Sequence, residues 1–242
     1  HYQAVIGLSG GIDSSLTTCI AVEALGKDNV YGISMPSKFS SSHSMSDAQA
    51  LAGNLGIDFR EIPINSIVES FEALMAPALD KNNMGVAEEN IQSRIRGNIL
   101  MALSNKHGWL VLSTGNKTEM AMGYCTLYGD MNGGLSVISD LSKEDVYKIS
   151  KWLNTSSGKN IIPENSITKP PSAELRPDQV DPFDYDIVSP LVSALIDNEK
   201  SPSELVKNGA DLDLVKNISK RISLNEYQRR QAAPGLRVSS KA

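Results

Sequence analysis

The chain opens on an apolar segment that runs into a glycine-rich turn and then a helix. Residues 4–8, Ala-Val-Ile-Gly-Leu, form a short apolar run typical of a strand buried on both faces. The turn Ser9-Gly10-Gly11-Ile12-Asp13-Ser14 follows, and a helix-like stretch from Ser14 to Leu25 ends at Gly26. This order predicts one strand and one helix of a parallel α/β sheet, with a backbone turn between them that a ligand can approach closely.

The same alternation continues along the chain. Further strands are predicted at 30–35, 59–64 and 109–113, and helices at 46–55, 65–79, 86–107, 142–154, 187–198, 202–208 and 211–222. The pattern favours a doubly wound, Rossmann-like parallel sheet of about five strands with helices on both faces. Ligands of such sheets bind outside the carboxyl ends of the strands. We therefore expect the loops 9–15, 36–45 and 114–119 to share one edge of the domain.

Size and composition restrict the classes of function. With 242 residues, 40% of them hydrophobic, the chain fits a single domain over 1–242. A net charge of −5 gives no basic surface for nucleic acid, and no apolar run has the length of a membrane span. Cys19 and Cys125 belong to no CxxC pair, which disfavours zinc and favours a reducing, cytoplasmic compartment. Because the chain begins His1-Tyr2 rather than with Met, we expect it to be the C-terminal part of a longer chain.

The turn at residues 9–15 has the chemistry of an anion site. The helix after it directs free N–H groups and its positive end at the turn, and Ser9, Ser14 and Ser15 add hydroxyl donors. The turn lacks the lysine of a P-loop. Asp13 would repel a phosphate unless a cation lay between them, which implies Mg²⁺. The alternative is an ordinary strand–turn–helix with an N-terminal serine cap.

Further motifs extend this pattern. The sequence SGGIDS resembles the pyrophosphate loop of the N-type ATP pyrophosphatases, an adenine nucleotide alpha hydrolase-like family that includes NAD, GMP, asparagine and argininosuccinate synthetases. The segments that resemble glutamine-dependent NAD synthetases in particular are Met35–Ser37 with Ser40–Ser44, Glu89–Asn98, Leu112–Glu119, Gly129–Met131, Leu141–Lys143, Lys169–Leu175 and Asn225–Arg230. The resemblance runs from residue 4 to about residue 240.

The resemblance implies roles for individual residues. It assigns ATP to Gly7, Leu8, Ser9, Gly10, Gly11, Ile12, Asp13, Ser14, Ser15, Thr114, Lys143 and Ser172, and deamido-NAD to Asn90, Arg94, Glu119, Tyr227 and Gln228. Asp13 and Glu119 would hold Mg²⁺, and together with Lys143 they would be the catalytic residues. Lys143 opens a helix, where the dipole disfavours a cation, so a surface lysine is the alternative for that position.

Some assignments compete with structural explanations. Asn90, Arg94 and Asn98 form a polar row beside an apolar row of isoleucines, which is also the pattern of a solvated helix face. His43 and His107 have no acid–base partner in the sequence and are not predicted as catalysts. The family usually has lysine where this chain has Gln228, so a charge is missing at the substrate end. Six of the eleven prolines lie between Pro163 and Pro190, and 155–190 is predicted to be an active-site loop.

The resemblance therefore implies an ATP-dependent ligase that converts deamido-NAD to NAD through an adenylate, with ammonia as the nitrogen donor. It also implies a homodimer and a glutaminase domain that precedes this segment. Two alternatives stay open at this point. A GMP-synthetase-like enzyme would share SGGxDS but lack the 89–98 motif, and a non-catalytic nucleotide-binding module would have no need of Asp13, Glu119 and Lys143 together.

Overall fold

A parallel sheet of five strands forms the centre of the protein. In a computed structural model, residues 2–79 and 85–240 are described. The strands are β1 (Ala4–Gly7), β2 (Val30–Ser34), β3 (Asp58–Glu61), β4 (Leu110–Ser113) and β5 (Leu135–Ser136). Their order is β3-β2-β1-β4-β5, and every pairing is parallel. The predicted doubly wound sheet is therefore confirmed, and the chain reverses its direction of winding beside β1.

Helices cover both faces of this sheet. The helices are α1 (Ile12–Leu25), α2 (Ser42–Leu55), α3 (Asn65–Met75), α4 (Val86–His107), α5 (Lys117–Met122), α6 (Lys143–Ser157), α7 (Glu164–Thr168), α8 (Tyr185–Ile196), α9 (Pro202–Lys207), α10 (Leu212–Leu224) and α11 (Glu226–Arg229). One core cluster contains Leu16 of α1 and Val146 of α6, and a second contains Ile91 and Ile95 of α4. β1 contributes to both clusters, with Ala4 and Ile6 in the first and Val5 in the second, as period-two side chains require.

The C-terminal helices make a smaller core of their own. Val188 and Val192 of α8 pack with Ile218 of α10 against Ala121 and Met122 of α5. This cluster supports α5, which follows β4 at the carboxyl edge of the sheet. The predicted helical stretches near 187–198, 202–208 and 211–222 correspond to α8, α9 and α10.

Several local predictions differ from the structure. The last predicted strand positions near 62–64 lie beyond β3, which ends at Glu61, and neither α5 nor the short β5 was predicted as an element. Within the proline-rich segment 155–190, α6 ends at Ser157, α7 spans Glu164–Thr168 and α8 begins at Tyr185. Pro190 lies inside α8, so the irregular part of this segment is shorter than its proline content predicted. Over 2–79 and 85–240, no helix has the length and hydropathy needed to cross a membrane.

Candidate active site at the carboxyl edge of the sheet

The glycine-rich turn is held in shape by its own hydroxyl groups. Gly10 has φ +75°, and a Cβ there would collide with the backbone carbonyl of Ser44, so only glycine fits this close approach. Ser14 Oγ and Ser15 Oγ donate to the carbonyl of Gly11 at 3.0 and 2.8 Å, and the Ser9 and Ser14 hydroxyls lie 3.1 Å apart. Gly7, Leu8, Ser9, Gly11, Ile12, Asp13 and Ser14 line the adjoining cavity, while Ser15 is fully buried beneath the turn.

An acid–lysine cluster joins three elements beside this turn. Lys143 Nζ donates to Asp13 Oδ2 at 2.5 Å and to Glu119 Oε1 at 3.1 Å. Asp13 lies in the first turn of α1, Glu119 lies in α5, and Lys143 is the first residue of α6. The lysine side chain is 2% exposed, and its Nζ lies 5.1 Å from the centre of the Tyr185 ring. The cluster therefore places one buried cation between two carboxylates at the cavity wall.

Asn116 links the two carboxylates to the backbone of α5. Its amide Nδ2 donates to Asp13 Oδ1 at 2.8 Å, and its Oδ1 accepts from the backbone N–H of Glu119 at 3.0 Å as the N-cap of α5. The backbone N–H of Asn116 donates to Glu119 Oε2 at 3.4 Å, which completes a capping box. The local sequence Asn-Lys-Thr-Glu thus begins a helix and aims its acid at Lys143. Asn116 was not among the predicted site residues, although its spacing from Glu119 is a capping-box signal.

Burial and the neighbouring charges shift the proton affinities of this cluster. Burial raises the pKa of Glu119 to about 7, with Asp13 adding to the rise and Lys143 opposing it. Burial alone would lower the pKa of Lys143, but Asp13 and Glu119 together raise that pKa above its ordinary value. The lysine therefore stays charged, and the site gathers several ionisable groups of the kind that catalytic pockets contain.

The cavity between the turn, the strand ends and the proline-rich segment has a volume of about 310 Å³. Thr114 and Glu119 line one side, and Ser172 lines another. Ser172 is exposed and donates its hydroxyl to the carbonyl of Gln179 at 2.5 Å. The volume lies at the low end of the range for small-molecule sites. The loops predicted to share one edge do meet here, since Ser40 and Ser44 also line the cavity.

The proline-rich segment is attached to the cavity rim by charged contacts. Glu174 accepts from Ser41 Oγ at 2.9 Å and from Ser44 Oγ at 2.7 Å, and Lys169 Nζ donates to Ser44 Oγ at 2.8 Å. On the opposite side, Gln92 of α4 donates to the carbonyl of Leu175 at 2.8 Å. Residues 169–175 therefore bridge α2 and α4 across the cavity.

Two further charged groups in the cavity wall were not predicted. Arg96 of α4 donates from Nε to the carbonyl of Met35 at 3.0 Å, and burial lowers the pKa of its guanidinium to about 10. Asp130 accepts from Ser93 Oγ at 2.8 Å, and burial raises the pKa of its carboxyl group. Both line the cavity. The quoted motifs Glu89–Asn98 and Gly129–Met131 contained these residues, but spacing alone did not show which side chains point inward.

The residues predicted to bind the dinucleotide lie outside the cavity lining, Glu119 excepted. Asn90 Oδ1 accepts from Thr126 Oγ1 at 2.7 Å, and the exposed Arg94 donates to the carbonyl of Leu127 at 3.3 Å. Tyr227 is 55% exposed, whereas Gln228 is buried and its Oε1 lies 3.7 Å from Cys125 Sγ. Their assignment to deamido-NAD remains a prediction.

The two histidines that sequence reasoning set aside also lie away from the cavity lining. His107 ends α4 and stacks on Trp109 with ring centres 4.2 Å apart. His43 is an exposed residue in the first turn of α2 and does not line the cavity.

The donor set suits a hard divalent cation. Asp13 and Glu119 each direct one carboxylate oxygen at Lys143 Nζ, and Mg²⁺ commonly takes one or two such carboxylates together with phosphate oxygens and water. In the part of the chain that is described, no group of three or more His, Cys, Asp or Glu side chains is arranged to hold a metal without a ligand. Asp13 and Glu119 are therefore the residues that would hold such a cation.

Comparisons with known proteins agree on one family. The family model described as NAD synthase matches residues 1–232. A glutamine-dependent NAD(+) synthetase of Synechocystis sp. is 51% identical over 99% of this chain and 43% of its own length. The solved glutamine-dependent NAD+ synthetase of Acinetobacter baumannii, in complex with ADP, is 40% identical with a TM-score of 0.68 over 99% of this chain and 44% of that one.

A shorter solved protein matches over most of both lengths. The NH3-dependent NAD synthetase of Campylobacter jejuni is 29% identical with a TM-score of 0.75, over 94% of this chain and 86% of that one. In contrast, the chain spans less than half of the glutamine-dependent relatives.

Proposed function

The chain belongs to the NAD synthase family, and from this premise we propose that it catalyses the ATP-dependent amidation of deamido-NAD to NAD. The observation that carries the proposal is the cluster of Asp13, Glu119 and Lys143 beside the SGGIDS turn. A nucleotide-binding module without catalysis would gain nothing from two carboxylates and a buried cation at the phosphate position. The family match also disfavours the GMP-synthetase-like alternative.

In the first step, an oxygen of the nicotinic acid carboxylate attacks the α-phosphorus of ATP. The bond from that phosphorus to the bridging oxygen breaks, and pyrophosphate leaves into the turn formed by residues 9–15. Backbone N–H groups at the start of α1 and the hydroxyls of Ser9 and Ser14 bind the leaving group. Lys143 stabilises the charge that develops on the transferring phosphate, and its contacts with Asp13 and Glu119 hold it in position.

Asp13 and Glu119 would also hold Mg²⁺, which supplies charge neutralisation on the phosphates when it is bound. In the second step, ammonia attacks the acyl carbon of the adenylate, loses a proton and displaces AMP, which leaves NAD. Thr114 and Ser172, both in the cavity wall, are proposed to contact ATP. The segment 169–175 limits the access of water to the adenylate, because it spans the cavity between α2 and α4.

The dinucleotide is proposed to extend out of the cavity along the surface that carries Asn90, Arg94, Tyr227 and Gln228. Asn90, Arg94 and Gln228 contact residues 125–127, and Tyr227 lies beside Gln228 in α11. The chain is also proposed to form a homodimer, and the exposed Arg94 and Tyr227 are available for contact with a second copy. Gln228 offers a hydrogen bond but no charge to the substrate.

The nitrogen source in the whole protein is proposed to be glutamine. The Synechocystis and Acinetobacter relatives are named as glutamine-dependent, and this chain spans 43% and 44% of their lengths. A glutaminase domain that delivers ammonia would account for the remainder. The NH3-dependent relative, matched over 86% of its chain, supports the proposal that this part alone uses free ammonia. A reducing, cytoplasmic compartment remains our prediction for the protein.

The direct test is to supply this chain with ATP, Mg²⁺ and deamido-NAD, with either ammonium or glutamine. We expect NAD, AMP and pyrophosphate in equal amounts from ammonium and no NAD from glutamine. The matched variants are Asp13→Asn in the cluster and Asp28→Asn on the surface, where the side chain is 84% exposed. Folded protein that makes no NAD from ammonium would refute the activity. NAD formed equally well from glutamine would refute the division of labour with a second domain.

A further inference from the structure

The C-terminal tail lies along the edge of the sheet beside the candidate site. We call residues 234–240 the C-terminal strap. The backbone N–H of Ser136 in β5 donates to the carbonyl of Pro234 at 2.9 Å, and Ser136 pairs with Gly235 in a parallel bridge. Ser136 in turn shares a hydroxyl contact of 2.7 Å with Ser113, the last residue of β4. The strap therefore lies beside β5, and Ser136 of β5 links it to β4, the strand that leads into the loop 114–119.

Asp140 binds the far end of the strap. Its Oδ2 accepts from the backbone N–H groups of Val238 and Ser239 at 2.6 Å each, and its Oδ1 accepts from Ser239 Oγ at 2.7 Å. The Asp140 side chain is 2% exposed. Burial alone would raise the pKa of the Asp140 carboxyl, but Lys117 and then the three donors of the strap lower that pKa to about 2. A buried carboxylate this well satisfied holds its donors in one arrangement.

Lys117 connects the strap to the first turn of α5. Its Nζ lies 2.5 Å from Asp140 Oδ1, 2.7 Å from Asp197 Oδ1 and 2.9 Å from Ser239 Oγ. Lys117 is the first residue of α5, directly after Asn116, and its side chain is 7% exposed. The neighbouring side chains Asn116 and Glu119 face the opposite way, toward Asp13 and Lys143.

The first turn of α5 is thus bound by side-chain contacts on two sides. On the inner side, Asn116 contacts Asp13 and Glu119 contacts Lys143. On the outer side, Lys117 is bound by Asp140 and the strap. Lys117 and Glu119 belong to the same helical turn, so a displacement of Lys117 would also move Glu119 relative to Lys143, and small misplacements of this kind cost rate.

We propose that the C-terminal strap, through Ser239, Asp140 and Lys117, sets the position of Asn116 and Glu119 at the candidate site. Ser239, Asp140 and Lys117 are then positioning residues, and the strap is required for the rate of the reaction rather than for nucleotide binding. The proposal rests on the function proposed above only in its effect on rate. Its structural part concerns the order of α5 and stands independently.

The test uses Ser239→Ala and Asp140→Asn, with Val238→Ala as the matched control. Val238 contributes its backbone N–H to Asp140, and its side chain is 66% exposed, so alanine keeps the contact. We expect kcat with ammonium to fall about tenfold in Ser239→Ala and further in Asp140→Asn, since buried hydrogen bonds to a charge are lost. The KM for ATP should change less than about twofold, because uniform binding is retained. Hydrogen exchange of the backbone amides of Lys117–Met122 should become faster in both variants.

The results separate the proposal from its rivals. If Ser239→Ala loses thermal stability while kcat and the exchange of α5 match those of Val238→Ala, the strap is a stabilising element and the proposal is overturned. If wild-type protein makes no NAD, the proposed function fails, but exchange of α5 still decides the structural part. If Asp140→Asn does not fold, Ser239→Ala carries the test, because its replacement removes one hydroxyl from a partly buried position.

Discussion

Replacing Lys143 with methionine removes the buried cation and keeps most of the side-chain volume. Lys143 Nζ lies 2.5 Å from one carboxylate oxygen and 3.1 Å from the other. With an effective dielectric constant of about 20, these contacts contribute about 7 and about 5 kcal/mol of gross Coulomb energy. Desolvation of the three groups offsets much of this. We expect Lys143→Met to lower the free energy of unfolding by about 3–5 kcal/mol, the usual cost of leaving a buried charge unpaired.

The assay is urea unfolding followed by circular dichroism, with Lys148→Met as the control. Lys148 lies on the same helix and pairs with Glu144, but its side chain is 64% exposed, so its replacement should leave the stability almost unchanged. A third variant combines Asp13→Asn, Glu119→Gln and Lys143→Met, which leaves no charge in the cluster. We expect it to recover most of the lost free energy.

Two outcomes would refute this account of the cluster. If Lys143→Met is as stable as Lys148→Met, the two carboxylates do not depend on the ammonium group. The triple variant would be as unstable as Lys143→Met if the loss came from packing rather than from unpaired charge.

Three further changes follow from the same geometry. Asp13→Asn should lower NAD formation from ammonium by about 100-fold or more, because the variant loses a cation ligand and a contact to Lys143, and initial rates compared with Asp28→Asn measure this. Gly10→Ala should destabilise the protein and weaken ATP binding, since φ is +75° and the added Cβ would displace the backbone of Ser44. Calorimetry measures both effects, and Gly26→Ala is the control because Gly26 also has a positive φ but no atom near the added Cβ. The pKa of Asp140 is lowered to about 2 in the folded protein, so its contribution to stability is fully present above the unfolded pKa of about 4 and is lost as the pH falls to about 2. Urea midpoints should therefore show the stability difference between wild type and Asp140→Asn shrinking between about pH 4 and about pH 2.

The sequence was most informative where local rules act alone. β1, β2 and β4 are short, mostly buried strands that run into turns rich in glycine, proline or serine, and helices such as α2 and α4 end at left-handed glycines, Gly56 and Gly108. These signals are contained within a few residues. They predicted the order of elements and, through the rule for parallel sheets, the edge at which the loops meet.

Short elements and inward orientations were harder to predict. β5 has two residues and α5 has six, too few for a periodic pattern to appear. On α4, the sequence did not single out Ser93 and Arg96, which line the cavity, and the assignment of Asn90 and Arg94 to the dinucleotide stays a prediction. The direction in which a helix face points depends on its packing against β1 and β4, and spacing within the helix does not contain that information.

Lys143 shows how a local rule is overruled by a contact between distant residues. A lysine at the first position of a helix is disfavoured by the dipole by about 0.3–1 kcal/mol. Ser142 caps the same helix by accepting from the backbone N–H of Asp145, so the helix begins there regardless of the lysine. Asp13, 130 residues away in the sequence, and Glu119 then supply two carboxylates whose attraction for the ammonium group is several times larger than the dipole term. The cost of the unfavourable position is therefore small beside this attraction, which holds the charge between the glycine-rich turn and α5.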